Sequence, residues 1–158
     1  MKIAYADRDR WVADPAHTSL PTAGLLSKEY ARRRRKIFDP GKAQAHTWGD
    51  AEGDTTGFVV ADGRGNVLSV IQSLFRAFGS GVVAPGTGVV LQNRGSYFNT
   101  DSAHPNCFAP RKRPFHTLSP AMALNADGSL AMAFGTPGGD GQPQTLLQIV
   151  NNVLRYGM

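Results

Sequence analysis

Three patterns of apolar and polar positions follow one another along the chain. Up to about residue 38 the apolar positions are sparse and spaced as on helices. After residue 55 they come in short alternating runs, and towards the C-terminal end helical spacing returns. Met1, Ile3, Ala4 and Trp11 fall roughly on one face and predict a helix over residues 1–13. No N-cap precedes it, so the chain reads as starting inside a helix. Residues 14–26 read as a proline-rich loop. Ser27 predicts an N-cap for a helix running to about Phe38, stopped by Asp39-Pro40-Gly41. Residues 42–54 form a polar linker containing His46 and Trp48. Thr56–Ala61 and Val67–Leu74 are strands around the turn Asp62-Gly63-Arg64-Gly65-Asn66, which makes a hairpin. On the second strand Val67, Ser69, Ile71 and Ser73 share one side. Residues 76–117 carry glycines and prolines with little periodicity. Strands Ser119–Leu124 and Leu130–Gly135 flank Asn125-Ala126-Asp127-Gly128. Leu146, Ile149, Val150 and Val153 predict a last helix over Gln142–Tyr156. There is no internal repeat.

Composition narrows the class. The 158 residues are one domain's worth of chain, and 41% hydrophobic content is that of a globular protein rather than a disordered one. A single cysteine, Cys107, excludes an internal disulfide and a cysteine-rich zinc site, and reads as a partly buried small hydrophobe. His17, His46, His104 and His116 show no metal-ligand spacing, so no metal or cofactor is expected. No apolar run reaches the ~20 residues that span a bilayer. Lys2, Asp7, Arg8, Asp9 and Arg10 interrupt any signal-peptide core, which favours a cytoplasmic location for this segment. The net charge of +5 is concentrated in Arg32-Arg33-Arg34-Arg35-Lys36 and Arg111-Lys112-Arg113. The first block lies near the end of a predicted helix, where cations suit the dipole and a solvated face is expected. No aromatic residues interleave with the basic ones, so neither nucleic acid nor membrane is expected as a partner.

The candidate chemistry sits at Asp54-Thr55, where the polar linker meets the first strand. The dipeptide by itself suits an ordinary turn and a β-branched strand former. If the bond between them is cut, Thr55 carries a hydroxyl and a free α-amine on one residue, which is the N-terminal-threonine form of nucleophilic catalysis. Gly135-Thr136-Pro137-Gly138-Gly139-Asp140-Gly141 joins a strand to a helix start. Glycines there admit close backbone approach, and unpaired N–H groups point outward.

Five segments, taken together and in order, resemble the γ-glutamyltranspeptidase family of N-terminal-nucleophile hydrolases. They are Asp54-Thr55-Thr56, residues 78–88 (Phe78-Gly79-Ser80-Gly81 onward), Gln92-Asn93-Arg94-Gly95, residues 112–120 (Lys112-Arg113-Pro114 through Pro120) and Gly135-Thr136-Pro137-Gly138-Gly139. The resemblance covers essentially the whole chain. It implies an α+β fold, part of an αββα sandwich incomplete at both ends. It divides the chain into 1–54, from the end of a large subunit, and 55–158, from the start of a small catalytic subunit. The precursor would cleave itself between Asp54 and Thr55. Thr55 would be the nucleophile, Ser73 a supporting hydroxyl, and Gly138 and Gly139 the oxyanion-hole amides.

The same resemblance implies an enzyme cleaving, and in some members transferring, γ-glutamyl amides such as glutathione. Its partners would be a small-molecule amide and the remainder of the parent chain. Three departures bear on the substrate. Phe75 stands where glutathione-acting relatives have asparagine, Tyr97 where they have the aspartate that holds the substrate ammonium, and His116-Thr117 where they have two serines. The wording around Gln92–Gly95 and Phe115–Thr117 is closer to the oxamate amidohydrolase and acylase-like subgroup. Arg94 then has two readings, a fork for a substrate carboxylate or a surface arginine. His116 would bond substrate or orient its loop. An inactive, truncated member serving only as a structural piece is the reading from a different class, and nucleic-acid binding through residues 32–36 ranks last.

Overall fold

The computed structural model describes residues 2–42 and 54–158, with the Asp54 side chain left aside. The linker expected at 42–54, including His46 and Trp48, lies outside the described residues apart from its two ends. The chain forms two compact units, Met1–Trp48 with Gly95–Phe115, and Gly49–Arg94 with His116–Met158.

The first unit is helical. Helix α1 spans Lys2–Trp11, α2 Thr22–Leu25 and α3 Lys28–Arg35. The Ser27 hydroxyl accepts from Tyr30 N at 3.0 Å, so the expected N-cap is present. The helix stops at Arg35 rather than Phe38. Lys36, Ile37 and Phe38 donate instead to the carbonyls three residues back, the tighter turn that commonly closes a helix. The loop expected at 14–26 contains α2, a single turn too short to show a period. Arg34 is not on a solvated face as expected for its block. It donates from Nε to Asp7 Oδ2 at 3.0 Å and from Nη2 to the Ile3 carbonyl at 3.2 Å. Cys107 is half-buried.

An ion pair in this unit joins Asp14 to Arg113. The Asp14 carboxylate, 2% exposed, accepts from Arg113 Nη2 at 2.8 Å, Arg113 N at 3.0 Å and Ala16 N at 3.1 Å. These donors, the Arg113 side chain first, hold its carboxyl far below the usual carboxylate range.

The second unit holds the strands. β1 (Asp54–Ala61) and β2 (Val67–Phe75) pair antiparallel, as do β3 (Ala121–Leu124) and β4 (Leu130–Phe134), giving two two-stranded sheets. β3 starts at Ala121 rather than Ser119. Pro120 has no N–H to offer a ladder, and the Ser119 N–H donates to Gln142 Oε1. β4 ends one residue before Gly135. α4 spans Gln142–Tyr156, with Pro143 in its first turn and Gly157 left-handed at its C-cap.

The hairpin face carrying Gly57, Val59, Ser69 and Ile71 meets the exit of β4. Ser69 Oγ donates to the Phe134 carbonyl at 3.0 Å. The Ile71 Cδ1 methyl fills a slot between Gly57 and Gly135, and a Cβ built at either glycine would lie 2.8 Å from it. On the opposite hairpin face Phe58, Val60 and Leu68 are about half exposed. Among the described residues only Ala13 and Leu146 are buried apolar side chains. No described helix is long and apolar enough to cross a membrane.

Two outcomes follow. Gly57→Ala should cost no more than about 1 kcal/mol, because the atom its Cβ would meet is the tip of the Ile71 side chain, and that cost should vanish in an Ile71→Val background, where the colliding methyl is gone; denaturant titration of the double-mutant cycle measures it. For Asp14, a lowered folded-state pKa means stabilisation that is complete above the ordinary carboxylate value of ~3.9. It is lost as pH falls through the depressed folded value. The melting-temperature advantage of wild type over Asp14→Asn should therefore hold from neutral pH down to that range and shrink below it.

Candidate active site

The antiparallel register sets Thr55 opposite Ser73. A bulge lies just before it: Asp54 pairs with Phe75, then Thr55 with Ser73, so Leu74 is skipped. The two hydroxyls meet at 2.8 Å. Thr55 is half-buried at the head of β1.

Ser73 is held from behind. Arg94, 3% exposed, donates from Nη2 to Ser73 Oγ at 3.0 Å and from Nη1 to the Ser73 carbonyl at 3.2 Å. The Phe75 N–H donates to the same Oγ at 3.0 Å. Phe75 has φ +77°, a left-handed conformation that costs free energy for a bulky side chain and is concentrated at functional sites. Its ring lies 5.2 Å beneath the Arg94 guanidinium. The segment bearing Arg94 is laced to the end of β2. Asn93 N donates to the Leu74 carbonyl at 3.2 Å, Asn93 Oδ1 accepts from Arg76 N at 3.2 Å, and Gln92 Oε1 accepts from Arg94 N. Arg94 is thus not a surface arginine, and its terminal nitrogens face Ser73.

Gly138 and Gly139 follow the β4 exit that packs on the same hairpin face. Their φ values are +122° and +49°, and they lead through a 3-10 turn, Gly139–Gly141, into α4. Among the described residues none accepts a hydrogen bond from either N–H. A Cβ at either position would meet nothing within 4 Å, so the glycines are required by backbone conformation, with open space beside them. The turn is anchored by Gln142, wholly buried, whose Oε1 accepts from Ser119 N at 3.0 Å.

The other expected substrate contacts are dispersed. His116 is exposed, and its Nδ1 accepts from Leu118 N at 3.2 Å. Thr117 is buried, and neither its Oγ1 nor Gln142 Nε2 has a hydrogen-bond partner among the described residues. Tyr97 belongs to the first unit, where its ring packs edge-on against Phe115 at 5.0 Å. No group of three His, Cys, Asp or Glu among the described residues is arranged to hold a metal. Sequence reasoning missed the roles of Phe75, Gln142 and the Arg94–Ser73 contact. The only signal for the last was the Gln92–Gly95 motif, separated from Ser73 by about twenty residues of irregular chain.

The profile of the gamma-glutamyltranspeptidase family matches residues 1–158. The chain belongs to the γ-glutamyltranspeptidase family. It is 43% identical over 162 residues to a glutathione hydrolase-like YwrD proenzyme of Bacillus subtilis, covering 100% of this chain and 30% of the relative. It is 41% identical over 157 residues to an oxamate amidohydrolase proenzyme of Klebsiella pneumoniae, covering 99% of this chain and 30% of that one. A solved cephalosporin acylase from Bacillus halodurans superposes with a TM-score of 0.86 at 39% identity, over 99% of this chain and 28% of the acylase. The chain therefore spans about 30% of the length of the curated relatives it matches. Members of this family are hydrolases made as proenzymes, and the mixed helix-and-strand class accords with its solved N-terminal-nucleophile members.

The Ser73 hydroxyl is an acceptor that Arg94 Nη2 and the Phe75 N–H share. Ser73→Ala is expected to cost about 1–3 kcal/mol in denaturant titration, while Ser73→Thr, which keeps the hydroxyl on a β-branched strand residue, should cost far less.

Proposed function

We propose that this chain is the junction segment of a self-processing amidohydrolase whose nucleophile is Thr55. The observation that carries the reading is the 2.8 Å contact between the Thr55 and Ser73 hydroxyls at the start of β1, beside the Asp54–Thr55 bond. In the precursor, Thr55 Oγ attacks the Asp54 carbonyl carbon, and the Thr55 amide N–C bond breaks as an ester forms. Water then hydrolyses the ester. This leaves Asp54 at the end of one chain and a free α-amine on Thr55, dividing 1–54 from 55–158.

In turnover the Thr55 hydroxyl attacks the substrate amide carbonyl. Its proton passes to the α-amine, whose pKa near ~8 suits a general base. The N–H groups of Gly138 and Gly139 receive the negative charge that builds on the carbonyl oxygen. The C–N bond then breaks, and the leaving amine takes the proton back from the α-ammonium. Water, or an acceptor amine in transfer, releases the acyl group by the reverse sequence.

Two substrate classes compete: a γ-glutamyl amide such as glutathione, and a small or acyl amide such as oxamate. Tyr97 offers no carboxylate for a glutamyl ammonium and is packed on Phe115, which favours the second, together with His116-Thr117 in place of two serines. The αββα sandwich would be completed by the rest of the polypeptide. That remainder is also the natural cover for the half-exposed apolar residues Phe58, Val60 and Leu68.

The test is intact mass spectrometry of the full-length protein beside Thr55→Ala. Wild type should split between Asp54 and Thr55. The variant should stay whole and lose about a thousandfold or more of its amidase activity. An unsplit wild type without activity on a γ-glutamyl anilide or oxamate would leave the family fold without the chemistry, and the inactive reading would take over.

A further inference from the structure

We propose that Arg94 is a positioning residue that fixes which way the Ser73 hydroxyl points and thereby makes it a hydrogen-bond donor to the nucleophile. The inference rests on the Thr55 reading above and adds to it a residue that does not touch substrate.

The argument is one of hydrogen-bond capacity. A serine hydroxyl has one proton to give and two lone pairs to accept with. Among the described residues Ser73 Oγ has three close polar neighbours. Arg94 Nη2 at 3.0 Å and Phe75 N at 3.0 Å are donors only, since neither a guanidinium nor a backbone N–H can accept. Both acceptor positions of Ser73 are therefore taken. Its proton is left for the third neighbour, Thr55 Oγ1 at 2.8 Å. The geometry thus settles a polarity that the two hydroxyls alone leave open: Ser73 gives and Thr55 receives.

Two chemical consequences follow. The Thr55 proton is not spent on Ser73 and is free to leave towards the α-amine. The oxygen it leaves behind is already solvated by a donated hydrogen bond, which stabilises the charge building as Oγ becomes nucleophilic. A buried guanidinium behind Ser73 polarises that donor further, because charge-assisted bonds in a low-dielectric setting strengthen along a chain. Arg94 is well placed for this role. It is 3% exposed, its second terminal nitrogen grips the Ser73 carbonyl at 3.2 Å, and its own backbone N–H is held by Gln92 Oε1.

The experiment is a double-mutant cycle in the full-length protein, with kcat counted per cleaved chain. Arg94→Met should lower kcat about 10- to 100-fold, the scale of one hydrogen bond to a charged group, with KM within about twofold. Arg94→Lys, which restores one cationic donor, should recover part of the loss. In a Ser73→Ala background Arg94→Met should change kcat by less than about twofold, because its target is already gone. The proposal is overturned if Arg94→Met keeps wild-type kcat, if the loss falls in KM (Arg94 then binds a substrate carboxylate), or if the two losses multiply. Should Arg94→Met fail to fold, Arg94→Lys and Arg94→Gln take its place in the cycle with the same criteria. An inactive, uncleaved wild type removes both this inference and the function beneath it. An active wild type with an indifferent Arg94 removes only this one.

Discussion

The arrangement around Thr55 depends on the saturation of one oxygen atom. Ser73 Oγ accepts from a buried guanidinium and from a backbone N–H, and lies 2.8 Å from the Thr55 hydroxyl. The antiparallel register brings the two hydroxyls opposite each other, but register alone would leave both free to rotate. The donors behind Ser73 remove that freedom. The cost is visible in the backbone: Phe75 is forced to a positive φ so that the strand can end there and turn its N–H onto the serine. A bulge between Asp54 and Thr55 displaces the pairing at the same place, so the peptide bond before Thr55 sits where the ladder is already interrupted.

The same hairpin face links this hydroxyl pair to the glycine turn. Ile71 sits between Gly57 and Gly135, and Ser69 bonds the Phe134 carbonyl. Neither glycine could gain a side chain without displacing that methyl. The close approach lets the β4 exit run along the hairpin before Gly138 and Gly139 turn it into α4. Buried Gln142 then ties the helix start to the segment before β3. Among the described residues Leu146 is the one buried apolar side chain of the second unit.

Much of this was legible from local chemistry. The spacing of Leu146, Ile149, Val150 and Val153 announced α4, and its predicted and observed limits coincide. Ser27 announced α3, and the Asp62–Asn66 turn announced the hairpin. Boundaries failed where a distant partner intervened, as when Ser119 gave its N–H to Gln142 and β3 lost its first residues. The one-turn α2 carried no period to read. Thr55, Ser73 and the two glycines were singled out through the motifs of the family resemblance, and the structure sets Thr55 opposite Ser73. Arg94 was visible as a motif residue, but its burial was not, because nothing in its neighbours along the chain indicates that it will be 3% exposed.

The sequence by itself determined the family, most of the helices and strands, and which residue types stand at the Asp54–Thr55 junction and the glycine turn, because these are set by neighbours within a few positions. Tertiary structure alone decided what those residues face. The pairing of Thr55 with Ser73 needs a hairpin register. The burial of Arg94 needs the irregular segment after β2 to fold back across about twenty residues and spend its polar groups on that strand's end. A guanidinium shows its charge in the sequence, but which acceptor it serves is settled only when the chain closes around it.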